Sequence, residues 1–244
     1  MSPRRSLRLV ALASLAGLTA CGARFGAPDA ASKQGSDISS LYRGTMTAAL
    51  VVGLLVWALI GFSLLRFRRG TRTVEEIGSQ RGLNIPLEVF YTAIPIVIVA
   101  VLFAFSLHTE RKVTKLSDHP DVKVEVIGFQ WQWQFRYPAA DVTVTGASAG
   151  APPELVLPVG MTIELHLVTR DVNHSFWVPR FLSKRDLIPG VRNVIDVNPT
   201  KTGSFDGRCA EFCGLDHWRM NFTVRVVSQA DYAAWLAKQP RGNP

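Results

Sequence analysis

The chain has 244 residues, 48% of them hydrophobic, and its formal charge of +8 is divided unevenly along its length. Residues 1–117 hold 14 Lys/Arg against 6 Asp/Glu, whereas residues 118–244 hold 13 of each. A charge-balanced C-terminal half without a basic patch or recognition motif excludes nucleic-acid binding, and a basic, apolar N-terminal half has the character of membrane flanks.

Residues 1–21 open with Arg4, Arg5 and Arg8, pass through a short apolar stretch and end in Leu18-Thr19-Ala20-Cys21. The stretch is too short to span a bilayer and fits an export signal. Its ending resembles the lipobox of bacterial lipoproteins, which implies a lipidated Cys21 as the mature N-terminus. An ordinary signal cut at another small residue is the alternative. Residues 22–44 are small and polar and read as a linker without a core.

Two uncharged apolar runs follow, at about residues 45–65 and 89–107. At about 1.5 Å per helical residue each crosses roughly 30 Å of hydrocarbon, which predicts a transmembrane hairpin over residues 45–108. Pro95 in the second run is tolerated there. Arg66, Arg68, Arg69 and Arg72 abut the first run, so the intervening loop is placed in the cytoplasm and both termini outside.

From 118 to 228 the apolar period becomes two: Val122, Val124 and Val126; Leu155 and Leu157; Ile163, Leu165 and Leu167; Phe222, Val224 and Val226. Alternation broken by Pro, Gly and Asp predicts an all-β sandwich or barrel. Residues 229–244 read as a helix and tail, with Ser228 as cap and Tyr232, Trp235 and Leu236 on one apolar face.

The chemistry is concentrated between Cys209 and Met220. Cys209 and Cys213 stand four apart, His217 four further on, and Met220 three beyond that. Thiolates, imidazole and thioether form a soft donor set that suits copper better than zinc or a hard cation, and the second Cys implies sulfurs bridging two metals. A Cys209–Cys213 disulfide, a Cys₂His₂ zinc site and a merely packing Met220 remain open on the loop alone.

A second stretch, Asp171-Val172-Asn173-His174-Ser175-Phe176-Trp177-Val178-Pro179, joins this loop in a specific resemblance. Together they match the D-V-x-H-S-[FW]-x-V-P and C-x-E-x-C-G-x-x-H-x-x-M signatures, so the chain resembles bacterial cytochrome c oxidase subunit II from its first membrane helix nearly to its end. The resemblance implies a two-helix hairpin plus a Greek-key, cupredoxin-like β domain. It further implies a binuclear copper centre, CuA, held by the side chains of His174, Cys209, Cys213, His217 and Met220 and by the Glu211 carbonyl. The Glu211 carboxylate would reach a magnesium ion at the interface with subunit I.

Within Gly128-Phe129-Gln130-Trp131-Gln132-Trp133 the resemblance makes Trp131 the exposed point at which electrons arrive from cytochrome c, while Trp133 packs the core. In Leu87-Glu88-Val89-Phe90-Tyr91-Thr92 it places Glu88 at the mouth of a proton channel into subunit I. The plain alternative for Glu88 is an interfacial carboxylate at a helix N-terminus. The implied role is a non-autonomous subunit of a proton-translocating oxidase in the bacterial plasma membrane. It sits beside subunits I and III, its copper domain is extracytoplasmic, and the haems belong to subunit I.

Departures from the family also matter. Arg136 and Arg170 stand where many relatives carry acidic docking residues, so the donor is expected to be neutral, acidic or membrane-held rather than strongly basic. No C-x-x-C-H occurs, so the chain attaches no haem c of its own. A membrane-tethered copper carrier is the competing class of function. A quinol oxidase subunit II would lack the copper ligands present here.

Overall fold

The computed structural model describes residues 25–68, 82–146 and 152–242, and the signal segment with Cys21 and most of the arginine-rich loop lie outside them. The chain divides into two units: Leu41–Thr109, and Met1–Ser40 together with Glu110–Pro244.

The smaller unit holds most of two helices, α1 (Lys33–Arg66) and α2 (Ile85–Thr114). Their apolar side chains are uncovered by protein; Trp57, Phe62, Val99 and Phe103 are all exposed. Such surfaces belong in lipid, where every polar group must be satisfied locally. Accordingly the Thr45 and Ser106 hydroxyls donate back to the Leu41 and Leu102 carbonyls at 3.0 and 2.9 Å. The start of α2 is capped reciprocally: Leu87 N–H donates to Asn84 Oδ1 at 3.3 Å, and Asn84 N–H donates to Glu88 Oε1 at 3.2 Å.

The larger unit is a sandwich of two five-stranded sheets. The first sheet contains β1 (Val122–Phe129), β2 (Gln132–Tyr137), β3 (Val142–Thr145), β5 (Ile163–Thr169) and β8 (Asn193–Val197), ordered β3-β2-β1-β5-β8. The second contains β4 (Glu154–Pro158), β6 (His174–Val178), β7 (Ser183–Leu187), β9 (Gly203–Cys209) and β10 (Asn221–Val227), ordered β4-β10-β9-β6-β7. Pairing is antiparallel except for β1 with β5 and β10 with β4. Each parallel pair joins two strands of one sheet.

The period-two residues of β1, β4, β5 and β10 supply the core. Its hub is Phe222, whose ring lies 4.9 Å from Phe176, 5.1 Å from Trp133 and 5.6 Å from Phe135. Aromatic pairs of this kind add about 0.5–1.5 kcal/mol each beyond area burial. The terminal helix α3 (Gln229–Lys238) begins at Ser228, whose hydroxyl accepts from Asp231 N–H at 3.1 Å, and sets Trp235 against Tyr137.

The reading of residues 22–44 as a coreless linker needs correction. Ala31 and Ser32 are fully buried against the β unit. Ala31 N–H donates to the Arg180 carbonyl at 2.7 Å, Thr200 N–H to the Ala31 carbonyl at 2.8 Å, and Lys33 N–H to the Asn198 carbonyl at 2.9 Å. Ser32 then caps α1, which starts at Lys33, well ahead of the apolar run. The segment docks through main-chain bonds and small side chains, so it leaves no apolar pattern in the sequence.

Candidate metal centre

The β1–β2, β5–β6 and β9–β10 connections meet at one end of the sandwich. β5 ends at Thr169, and the following turn delivers His174 as the first residue of β6. β9 ends at Cys209, and its partner β10 begins at Asn221, so residues 210–220 form a loop closed at its neck by Cys209 N–H donating to the Met220 carbonyl at 2.9 Å. Ala210 N–H donates to the Ser175 carbonyl at 3.0 Å, and Cys209 pairs with Phe176 across β9 and β6. His174 and Cys209, 35 positions apart, are thereby neighbours.

The donor atoms converge. Cys209 Sγ lies 3.8 Å from His174 Nδ1, Cys213 Sγ lies 3.5 Å from His217 Nδ1 and 3.8 Å from Met220 Sδ, and the two sulfurs are 3.9 Å apart. The Glu211 carbonyl is 3.2 Å from Cys209 Sγ. Both thiols are free and buried, as are His174 and Met220, while His217 is half-buried. The structure thus gathers all five predicted side chains and the Glu211 carbonyl, and leaves the sulfurs unjoined.

Electrostatics favour a cation between the sulfurs. Burial raises the Cys209 thiol, but hydrogen bonds from His174 and nearby backbone groups outweigh it and lower the thiol to about 7. Burial and the neighbouring Cys209 sulfur push Cys213 up to about 12. The site accommodates one thiolate unaided, and the second needs a positive charge to hold it. A buried, sulfur-rich set with two imidazoles and a thioether fits copper.

Polar groups outside this set fix it in place. Asp171 Oδ1 lies 2.8 Å from His174 Nε2, and this contact turns the ring so that Nδ1 faces Cys209. The same carboxylate accepts backbone N–H groups of Gln130 and Val172, both at 2.7 Å. Burial raises the Asp171 carboxyl, but these bonds outweigh it and hold its pKa low. Gln130 Nε2 and Trp131 Nε1 both donate to the Cys213 carbonyl, at 2.9 and 3.1 Å. Within the sequence motifs Asp171 and Gln130 carry no assigned role, although an Asp three residues before a ligand His is a signal for one.

Trp131 is half-buried, correcting the reading of it as exposed, because its ring lies over the loop at Gly214. Trp133 is fully buried and donates to the Met220 carbonyl at 3.2 Å. Glu88 lies far along the chain in the membrane hairpin as part of the α2 cap. Arg136 pairs with Glu125 at 2.6 Å, and Arg170 donates to Gln134 Oε1 at 2.6 Å. Phe212, Leu215 and Trp218 project outward from the ligand loop, 77%, 83% and 74% exposed.

Comparison with known proteins agrees with this arrangement over nearly the whole chain. The profile of the cytochrome C oxidase subunit II transmembrane domain matches residues 20–109, and that of the periplasmic domain of the same subunit matches residues 149–227. A probable cytochrome c oxidase subunit 2 of Streptomyces coelicolor is 39% identical over 96% of this chain and 88% of its own. Cytochrome c oxidase subunit 2 of Mycobacterium tuberculosis is 33% identical over 98% of this chain and 84% of its own. Among solved structures, the periplasmic domain of subunit II of cytochrome oxidase of Bradyrhizobium japonicum is 32% identical, covers 51% of this chain and 96% of its own, and has a TM-score of 0.46. Similarity of this extent, spanning both the membrane hairpin and the ligand-bearing β unit, means that the chain belongs to the cytochrome c oxidase subunit II family.

Proposed function

We propose that this chain accepts single electrons from a c-type cytochrome at a binuclear copper centre and hands them to the haem of subunit I, where oxygen is reduced and protons are moved. The observation that carries this reading is the pair of free, buried sulfurs 3.9 Å apart, with His174 beside one and His217 and Met220 beside the other. His174, Cys209, Cys213, His217, Met220 and the Glu211 carbonyl would hold two coppers, which would supply a one-electron couple.

What the chain contributes is rigidity. Ligands rise from the ends of paired strands, the loop is closed at its neck, and Asp171 fixes the His174 ring. The ligand positions therefore change little on oxidation or reduction, and the reorganisation cost of transfer stays small. Trp131 spans from the surface to the Cys213 carbonyl, a hydrogen-bonded route for an arriving electron. The uncovered Phe212, Leu215 and Trp218 suit burial against another oxidase subunit. The Glu211 carboxylate, with no partner among the described residues, is available for magnesium at that interface.

Glu88 would collect protons at the cytoplasmic mouth of a channel in subunit I, in addition to capping α2. Cys21 would anchor the mature N-terminus by lipidation, with the copper domain outside the bacterial plasma membrane. Subunit III completes the proposed surroundings, and the donor is a cytochrome c or a membrane-held c-type cytochrome.

Copper counting on the purified complex, with electron paramagnetic resonance, tests the central claim. Two tightly held coppers per chain sharing one unpaired electron are expected. One labile copper would replace the relay with the tethered-carrier reading.

A further inference from the structure

In the β1–β2 ladder Gly128 stands opposite Trp133, and both are buried. Gly128 is not among the glycines with positive φ, so backbone freedom does not account for it. Close approach does. A Cβ at this position would stand 3.2 Å from Cγ and Cδ2 of the His174 ring and 3.1 Å from Leu187 Cδ2. The ring therefore rests against bare main chain, and any larger residue would make the ring or Leu187 give way. Leu187 has little room to do so, because it is fully buried and pairs with His174 across β6 and β7.

Trp133 reaches a second ligand residue. Its ring lies 6.3 Å from that of His174 and 5.1 Å from Phe222, and its indole N–H donates to the Met220 carbonyl at 3.2 Å. The same carbonyl accepts Cys209 N–H at 2.9 Å, so the neck of the ligand loop is closed without the indole. A buried Trp needs a partner for its N–H, and here the partner is the main chain of a proposed copper ligand. His174 Nδ1 lies beside Cys209 Sγ and Met220 Sδ beside Cys213 Sγ, each at 3.8 Å. One rung of the ladder thus contacts a ligand residue on each side of the sulfur pair.

We propose that Gly128 and Trp133 are positioning residues of the metal centre. Gly128 sets how closely the His174 ring approaches the sheet, and Trp133 anchors the Met220 main chain and, through it, the thioether. Neither residue supplies a donor atom. The inference rests on the copper reading given above and extends it to residues that act through the ligands.

The test is copper titration of the detergent-solubilised full chain against a chelator, with absorption spectra of the loaded protein and melting of the metal-free protein. Gly128→Ala should lower copper affinity about tenfold, as loss of support for a metal ligand does. Trp133→Phe keeps an aromatic ring and the neck bond but deletes the N–H; affinity should fall about tenfold and the visible and near-infrared copper absorption should shift. Tyr137→Phe is the control. At the other end of β2 its hydroxyl donates to the Val156 carbonyl at 3.0 Å and accepts Val156 N–H at 2.9 Å, and its ring packs on Trp235 of α3. That variant loses buried hydrogen bonds as well, so it should melt lower, yet keep wild-type affinity and absorption.

Equal affinity and absorption in Trp133→Phe and Tyr137→Phe, whether both altered or both unaltered, overturns the role of Trp133. Wild-type affinity in Gly128→Ala overturns that of Gly128, and this variant decides the proposal should Trp133→Phe not fold. A single copper per wild-type chain would end the relay reading but leave this comparison standing, because each variant is read against the same wild-type site.

Discussion

The indole N–H of Trp131 donates to the backbone carbonyl of Cys213 at 3.1 Å, and the Gln130 side chain donates to the same oxygen at 2.9 Å. A half-buried aromatic is thus bonded directly to the main chain of a proposed copper ligand. Trp131→Gln removes the ring, while the Gln130 bond continues to hold the Cys213 carbonyl. Reduction by the donor cytochrome is expected to slow about 30-fold, the kinetic equivalent of losing one interface hot spot. The visible and near-infrared copper spectrum should be unchanged. Stopped-flow reduction measures both, and wild-type kinetics would remove Trp131 from the route.

Asp171 holds the His174 ring so that Nδ1 faces Cys209, and its second oxygen is occupied by Gln130 N–H. In Asp171→Asn the amide either loses the bond to the ring or turns an N–H toward the Gln130 donor. Copper affinity should fall about 10- to 100-fold, as is usual when the partner of a metal-bound His is lost. Competition against a chelator of known affinity reads this directly. An unchanged affinity would show that the strand ends alone orient the ring.

The membrane hairpin was legible because an uncharged run of about twenty residues is rare outside a bilayer-spanning helix. Strands β1, β4, β5 and β10 were legible because each buries alternate large side chains. By contrast β7, Ser183–Leu187, and β9, Gly203–Cys209, are rich in Gly, Ser and charge, and only pairing with their neighbours makes them strands. The soft ligands announced themselves by residue type and spacing. Asp171 and Gln130 did not, because a short polar side chain gains meaning only once the β1–β2 and β5–β6 turns bring it against the loop.

The paired thiols predict an unusual pH profile for the reduced, metal-free protein. With its folded value lowered from 9.0 to about 7, Cys209 is already thiolate where the unfolded chain would still bind a proton, so stability rises with pH between those values. Cys213 keeps its proton up to about 12, so above about 9 the unfolded chain is the more deprotonated and stability falls. These two groups therefore place a stability maximum near pH 9. Thiolate absorbance should show one step near 7 and no second step below about 11. Two equal steps near 9 would mean that the sulfurs do not share one field.

Docking of the segment before α1 is testable at Gly35. A Cβ there would sit 2.7 Å from the Phe181 carbonyl oxygen and 2.9 Å from the capping Ser32 hydroxyl, and neither main chain nor cap can yield cheaply. Gly35→Ala should therefore cost about 2 kcal/mol by overpacking, lowering the melting temperature of the β unit by about 5 °C. Gly44 lies in the same helix with nothing within 4 Å of an added Cβ, so Gly44→Ala should be neutral or slightly stabilising through helix propensity alone. Circular-dichroism melts of the two variants side by side separate the effects. Equal melting temperatures would mean that residues 29–36 are not held against β8 and the Pro179–Phe181 turn in solution.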